Sequence, residues 1–181
     1  GTRSTIDRLG CPDTDGDGYS DPDVNWLAHP LGFADAFQSI PSQWRDADGD
    51  GFGDEASGVN ADACVNVLGT SVGPSSGGDR WGCPDTDGDG YSDVDSTWNT
   101  SDGADELKTD PTQWTDGDGD GYGDNSSGNL GDYCPGIAGE SWQNSTLGCP
   151  DFDLDGWANH QDSFPYEITQ WHDIDGDGYG D

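Results

Sequence analysis

The chain has 181 residues, of which 38 are Asp or Glu and only 5 are Lys or Arg, giving a formal net charge of −33 at pH 7. Such a chain cannot neutralise phosphates, which excludes nucleic acid as a partner, and it has no apolar run long enough to span a membrane. A hydrophobic content of 29% alone predicts disorder. However, 8 Trp, 6 Tyr and 5 Phe are present and the 5 Cys recur in phase with an internal repeat, so we expect a chain that orders when it binds metal.

Repeated units follow one another along the chain. The sequence predicts the end of a preceding repeat at 1–10, a first unit at 11–82, a second at 83–148 and a truncated third at 149–181. Each unit contains two short acidic loops, an A loop that follows Cys-Pro and a B loop that follows Gln-Trp. Because repeats of this kind contact their neighbours, and because the phase is cut at both ends, we expect a slice of a longer array.

All six loops carry oxygen-bearing side chains at relative positions 1, 3, 5 and 9, with Gly at position 6. Ca²⁺ binds six to eight oxygens, alternate residues of a tight loop can point inward, and Gly permits the sharp turn. Position 7 supplies a backbone carbonyl. The predicted ligands of the A loops are Asp13, Asp15, Asp17, Tyr19 and Asp21; Asp85, Asp87, Asp89, Tyr91 and Asp93; and Asp151, Asp153, Asp155, Trp157 and Asn159. Those of the B loops are Asp46, Asp48, Asp50, Phe52 and Asp54; Asp116, Asp118, Asp120, Tyr122 and Asp124; and Asp173, Asp175, Asp177, Tyr179 and Asp181.

A further carboxylate is needed to complete each coordination shell. Position 12 holds Asp in the third A loop but Val24 and Ser96 in the first two. Aligning the segments before Gln-Trp restores an Asp if the first two A loops make excursions over 22–34 and 94–104. The predicted closing residues are Asp35, Asp105 and Asp162 for the A loops and Asp62 and Asp132 for the B loops.

The predicted fold is irregular and mostly coil, because Gly, Pro and Asp disfavour helices and strands. Short helical turns are expected only around 34–37 and 105–108. The side chains at position 7 and the Trp of each Gln-Trp are expected to form one small aromatic cluster per unit; the alternative is a platform on which carbohydrate stacks.

Five Cys residues leave one without a partner inside the sequence. We favour the two short bridges, Cys64–Cys83 and Cys134–Cys149, which span Gly- and Ser-rich segments. The longer pairings Cys11–Cys64 and Cys83–Cys134 would each enclose two loops and remain open. With short bridges, Cys11 would pair with a Cys upstream.

The recurring Asp-x-Asp-x-Asp-Gly-x-x-Asp pattern, with its periodic Asp-x-Cys and Cys-Pro, resembles thrombospondin type 3 repeats, and its Gln-Trp variant resembles tandem arrays of archaeal and bacterial surface proteins. The resemblance covers nearly the whole chain. It implies a calcium-wrapped, disulfide-stapled, elongated rod outside the cell, with ligands at Asp13, Asp15, Asp17, Asp21 and their equivalents. The excursions and Asn159 depart from the family pattern.

We therefore expect a structural extracellular protein that binds about six or more Ca²⁺ ions and forms a rigid stalk or filament with neighbouring repeats or identical subunits joined end to end. Rival interpretations are an adhesion module that binds glycans with exposed Trp and Tyr, and a calcium buffer. No nucleophile–base constellation or cofactor-binding motif is recognisable, so no enzymatic role is predicted. Asn99, Asn125 and Asn144 lie in Asn-x-Ser/Thr sequons and are candidate glycan acceptors.

Overall fold

The computed structural model describes residues 8–73 and 80–181. In this part of the chain the only helix is one turn of 3₁₀-helix, Thr100–Asp102, and β-structure is limited to isolated bridges such as Gly53 with Ala61 and Gly123 with Gly131. The prediction of an irregular, mostly coil fold is confirmed.

The helical turns expected at 34–37 and 105–108 are wrong. In both places the Asp side chain accepts a hydrogen bond from the backbone N–H two residues later, Phe37 to Asp35 and Leu107 to Asp105, each at 2.7 Å. This local side-chain acceptor competes with the helical hydrogen-bond pattern. The aspartates therefore start turns instead of helices.

Backbone with positive φ allows the acidic loops to bend. At position 6 of the first A loop, Gly18 has φ of 102°, a region that L-residues avoid. The third A loop is unusual at position 4, where Leu154 adopts φ of 64° in place of the glycines of the other A loops. A non-glycine residue in this conformation costs about 1–2 kcal/mol.

Two compact units make up the chain, Gly1–Asn99 and Thr100–Asp181. Their boundary falls inside the predicted second repeat, 83–148, so compact units and sequence repeats do not coincide. The repeat boundaries are defined by sequence alone and stay a prediction.

The buried side chains are mostly small or polar. Among the described residues, the buried apolar positions are Tyr19, Ala34, Cys83, Ala104, Cys149 and Ala158. The largest fully buried side chains include Gln43, Gln113, Thr146, Asp35, Asp105 and Asp132. Because so little apolar surface is buried, the hydrophobic effect cannot be the main source of stability.

Two disulfides connect the end of one predicted repeat to the start of the next. Cys64 is bonded to Cys83 and Cys134 to Cys149, with 5.1 Å between the Cα atoms of each pair. The predicted short bridges are confirmed, and the longer pairings are wrong. The prediction for Cys11, which is half-buried, stays a prediction.

A buried serine supports each disulfide. The N–H of Cys83 donates to the hydroxyl of Ser71 at 3.0 Å, and the N–H of Cys149 donates equivalently to Ser141 at 3.0 Å. Both serine side chains are fully buried. Since a buried N–H without an acceptor is costly, these hydroxyls stabilise the backbone at the bridges.

Aromatic rings pack in small groups within each unit. Tyr19 stacks on Trp44 in the first unit, with ring centroids 4.9 Å apart, and Trp157 stacks on Trp171 in the second at 6.3 Å. In both pairs, the residue at position 7 of an A loop meets the Trp that follows Gln. Over residues 8–73 and 80–181, no helix has the length and apolarity needed to cross a membrane.

Candidate metal centres

The first aspartate of each loop organises the backbone around itself. In the first A loop, the Oδ1 of Asp13 accepts from the N–H of Gly16 at 2.8 Å and its Oδ2 accepts from the N–H of Gly18 at 3.2 Å. The last B loop repeats this arrangement at Asp173, at 2.7 and 3.0 Å. These bonds wrap the loop around the carboxylate.

Carboxylates at positions 1, 3 and 5 converge. In each of five loops, one oxygen from each of three aspartates lies within 4.8 Å of the others. These groups are Asp13, Asp15 and Asp17; Asp46, Asp48 and Asp50; Asp85, Asp87 and Asp89; Asp116, Asp118 and Asp120; and Asp151, Asp153 and Asp155. Such groups could hold a metal ion. Closely spaced carboxylates repel one another, and a bound cation would relieve that repulsion.

The residue at position 9 closes each loop onto its second residue. Asp21 accepts from the N–H of Thr14 at 3.1 Å and from the Thr14 hydroxyl at 2.7 Å. In the third A loop the Oδ1 of Asn159 accepts from the N–H of Phe152 at 3.0 Å. Asn159 therefore closes the loop as the aspartates do, and its predicted role as a metal ligand stays a prediction.

Asp35 lies beside the first A loop despite its distance from that loop in sequence. Its side chain is only 1% exposed. One oxygen accepts the hydrogen bond from Phe37, and the other is buried with no hydrogen-bond partner. Burial raises the pKa of Asp35 to about 7; the Phe37 hydrogen bond opposes this rise, and the neighbouring carboxylates of Asp17, Asp15 and Asp21 add to it.

Asp62 has the same relation to the first B loop. It is 5% exposed, its Oδ1 accepts from the N–H of Cys64 at 2.6 Å, and its Oδ2 is buried without a hydrogen-bond partner. Burial raises the pKa of Asp62 to about 6. The hydrogen bond from Cys64 acts in the opposite direction and lowers the pKa, whereas the carboxylates of Asp50, Asp48 and Asp54 add to the rise.

Two closing aspartates in the second compact unit behave alike. Burial raises the pKa of Asp132, with Asp120 and Asp118 contributing, and burial also raises the pKa of Asp162, with Asp153 contributing. Each has a buried oxygen without a hydrogen-bond partner. Asp105 is equally buried. Its partner loop belongs to the other compact unit, so its closing role stays a prediction.

These observations define the chemistry that the sites can perform. A buried carboxylate oxygen without a hydrogen-bond partner costs several kcal/mol unless a proton or a cation compensates it. In the first unit, the closing aspartates Asp35 and Asp62 each have such an oxygen next to an aspartate triplet. All identified donors are hard oxygens, the type that Ca²⁺, Mg²⁺ and Mn²⁺ prefer.

A buried glutamine supports the first B loop and was not predicted to have a role. Gln43, which is 1% exposed, donates through Nε2 to the carbonyls of Glu55 and Val59, both at 3.2 Å, and its Oε1 accepts from the N–H of Glu55 at 2.9 Å. These bonds fix the chain between the end of the loop and Asp62. Gln113 does the same in the second B loop. The recurrence of Gln before Trp was the available signal.

Arginine side chains hold both excursions and were also missed. Arg8 pairs with Asp23 at 2.5 Å, and its guanidinium lies 5.8 Å from the centre of the Trp26 ring. Arg80 pairs with Asp95 at 2.7 Å in the second excursion, and it lies over Trp98. Hydrogen bonds from the Thr97 backbone and from Arg80 lower the pKa of Asp95.

The sequons differ in how their amides are used. The Nδ2 of Asn125 donates to the backbone carbonyl of Thr112 at 2.9 Å, and the Nδ2 of Asn144 donates to the Gln161 side chain at 2.9 Å. Asn99 and Asn144 are exposed. Glycosylation at all three stays a prediction.

No protein-family model matches this chain, and no curated protein matches it.

Proposed function

We propose that this chain is an extracellular calcium-binding structural module, with repeats of the thrombospondin type 3 kind, that binds about six or more Ca²⁺ ions. The observation that carries the proposal is the buried oxygen without a hydrogen-bond partner on the closing aspartates Asp35, Asp62, Asp132 and Asp162, beside converging aspartate triplets. Asp35 and Asp62 illustrate it most clearly, because burial raises their pKa values from 3.8 to about 7 and about 6. A divalent cation between the closing aspartate and the triplet would compensate the buried oxygen and the clustered negative charges together.

Calcium suits these donors better than other metals. Ca²⁺ accepts six to eight oxygens in flexible geometry, whereas Mg²⁺ requires a near-octahedral shell and retains water. Aspartates at positions 1, 3 and 5, a carbonyl at position 7, the side chain at position 9 and a closing aspartate together offer at least six oxygens from one chain. Zn²⁺ and copper favour sulfur and imidazole ligands, which the aspartate triplets do not contain.

A structural role follows from how little else would stabilise the chain. The buried side chains of the described residues are mostly polar, and the net charge of −33 opposes compaction. Bound Ca²⁺ would neutralise that charge at fixed points, and the disulfides would restrict the unfolded chain. Disulfides are compatible with a secreted or extracellular protein. Successive units joined end to end would make a stalk or filament.

Calorimetric titration of the metal-free chain with Ca²⁺, combined with near-UV circular dichroism and small-angle scattering, tests the proposal. We expect about six or more ions, dissociation constants of about 10⁻⁴–10⁻³ M as in extracellular modules, and a chain that contracts as it binds. A metal-free chain that is as compact as the loaded one would contradict the structural role. If all ions leave without loss of the aromatic signal, the protein is a calcium buffer.

A further inference from the structure

A half-open cavity of about 270 Å³ lies in the first compact unit, next to the first A loop. Its lining residues are Tyr19, His29, Phe33, Ala34, Trp44 and Arg45. Stacked rings of Tyr19 and Trp44 form an apolar wall, while Phe33, 62% exposed, contributes a second aromatic surface. The first excursion returns to the loop by way of hydrogen bonds from Ala34 to Leu27 at 3.0 Å and from His29 to Ala34 at 3.2 Å.

Three of the lining residues depart from the internal repeat, and all three converge on this cavity. Phe33 aligns with Gly103 of the second excursion, and Arg45 aligns with Thr115 after the second Gln-Trp. His29 has no equivalent, because the second excursion contains no histidine. The loops themselves repeat without these residues. The convergence of His29, Phe33 and Arg45 on one cavity therefore points to a function other than metal binding.

We propose that this cavity binds one neutral pyranose ring of a carbohydrate. Its volume is slightly below the approximately 300 Å³ at which cavities begin to accept drug-sized ligands, so a single-ring molecule fits. The C–H faces of a pyranose pack on aromatic rings such as Trp44 and Phe33, and its hydroxyl groups need donors and acceptors at the rim.

The polar groups of the cavity suit hydroxyl groups. The Nδ1 of His29 lies 2.5 Å from the backbone carbonyl oxygen of Asp46 and 3.3 Å from its amide nitrogen, so the backbone engages this ring nitrogen and Nε2 is the one left to meet a hydroxyl group. The guanidinium of Arg45 supplies donors, and its charge is balanced by Asp54, 3.5 Å from Nε. Because that carboxylate already pairs with Arg45 and the whole chain is strongly negative, a neutral sugar is favoured over an anionic one.

Saturation-transfer NMR of the calcium-loaded chain with methyl glucoside, galactoside and mannoside tests this proposal. We expect one of them to bind with a dissociation constant on the order of a few millimolar and to shift the ring resonances of His29. The double replacement Phe33→Gly and Arg45→Thr installs the residues of the second repeat and should weaken binding at least about tenfold. Tyr166→Ser, which removes an exposed aromatic ring in the other unit, is the matched control.

Calcium uptake separates this proposal from the proposed function, because the double replacement should take up as many ions as the unaltered chain. Failure of all three methyl glycosides to bind at about 50 mM, roughly tenfold above the expected dissociation constant, overturns the sugar site. Equal weakening by Tyr166→Ser overturns it as well. Tighter binding of indole, with no glycoside effect on His29, would identify an unspecific apolar cavity. The His29 resonances of the unaltered chain decide the question if the double replacement does not fold.

Discussion

Replacing Asp35 by Asn should have opposite effects on the metal-free and the calcium-loaded chain. Asn keeps the size of the side chain and an oxygen to accept the Phe37 hydrogen bond, but it removes the charge from the buried site. Without metal, this charge lies among the carboxylates of the first A loop and destabilises the fold. On the proposed function, the same charge would be a ligand when Ca²⁺ is bound.

The size of the metal-free effect follows from the pKa. Burial raises the pKa of Asp35 from 3.8 to about 7. Each pKa unit corresponds to about 1.4 kcal/mol, so the ionised side chain destabilises the metal-free fold by up to about 4 kcal/mol above pH 7. Because Asp35 is only 1% exposed, solvent screens this cost little.

Urea unfolding at several free Ca²⁺ concentrations measures both effects. The slope of the unfolding free energy against the logarithm of the Ca²⁺ concentration counts the ions linked to folding. The intercept gives the unfolding free energy of the chain at low Ca²⁺. For Asp35→Asn, the slope should fall by about one ion while the intercept rises. Glu140→Gln, at an exposed position, should change neither.

An unchanged slope with a lower intercept would refute the reasoning. That result would mean that Asp35 stabilises the backbone through its hydrogen bond and has no part in a metal site.

Three further outcomes are expected. In a calcium chelator the chain should be more compact at pH 5 than at pH 8. The folded-state pKa of Asp35 is raised, so the stability that its proton provides is complete below pH 3.8 and is lost as the pH rises through about 7. Small-angle scattering that shows expansion at pH 5 would contradict this. Gln43→Leu should lower calcium affinity at the first B loop by about tenfold or more, since it leaves buried backbone groups unsatisfied, whereas Gln38→Leu at an exposed position should not; equal titrations would contradict a positioning role. Replacing Cys64 and Cys83 by Ser should lower the free energy of unfolding by about 2–4 kcal/mol. It should also lower the calcium affinity of the first B loop, because the bridge holds in place the Cys64 N–H that donates to Asp62. Calorimetry that shows unaltered calcium binding would contradict this link between the bridge and the metal site.

The sequence was most informative where spacing alone decides the structure. Alternating aspartates and a glycine at position 6 define each loop, and in-register alignment was enough to single out Asp35 and Asp62 as residues that lie beside their loops. The favoured disulfide pairing, chosen for its short Gly- and Ser-rich segments while the longer pairings stayed open, is the one found. In each case, a regular pattern in the chain corresponds to a local backbone geometry.

Bonds between side chains and backbone could not be predicted. Gln43 contacts carbonyls at 3.2 Å whose positions depend on the path of the folded loop, and no periodicity reports that path. The expected helical turn at 34–37 failed for the same reason, because the Asp35 side chain accepts a bond that a helix would have supplied. The ion pair of Arg8 with Asp23 joins two segments whose approach depends on the excursion.

The polar interior has a consequence for how the protein responds to temperature. The heat capacity change of unfolding grows with the apolar surface that becomes exposed and falls with the polar surface. The fully buried side chains of this chain include Gln43, Gln113 and several aspartates, so unfolding exposes little apolar surface to water. We therefore expect the curve of stability against temperature to be shallow. If the proposed Ca²⁺ sites hold the chain together, the ion content of its surroundings matters more to whether it stays folded than warmth or cold does.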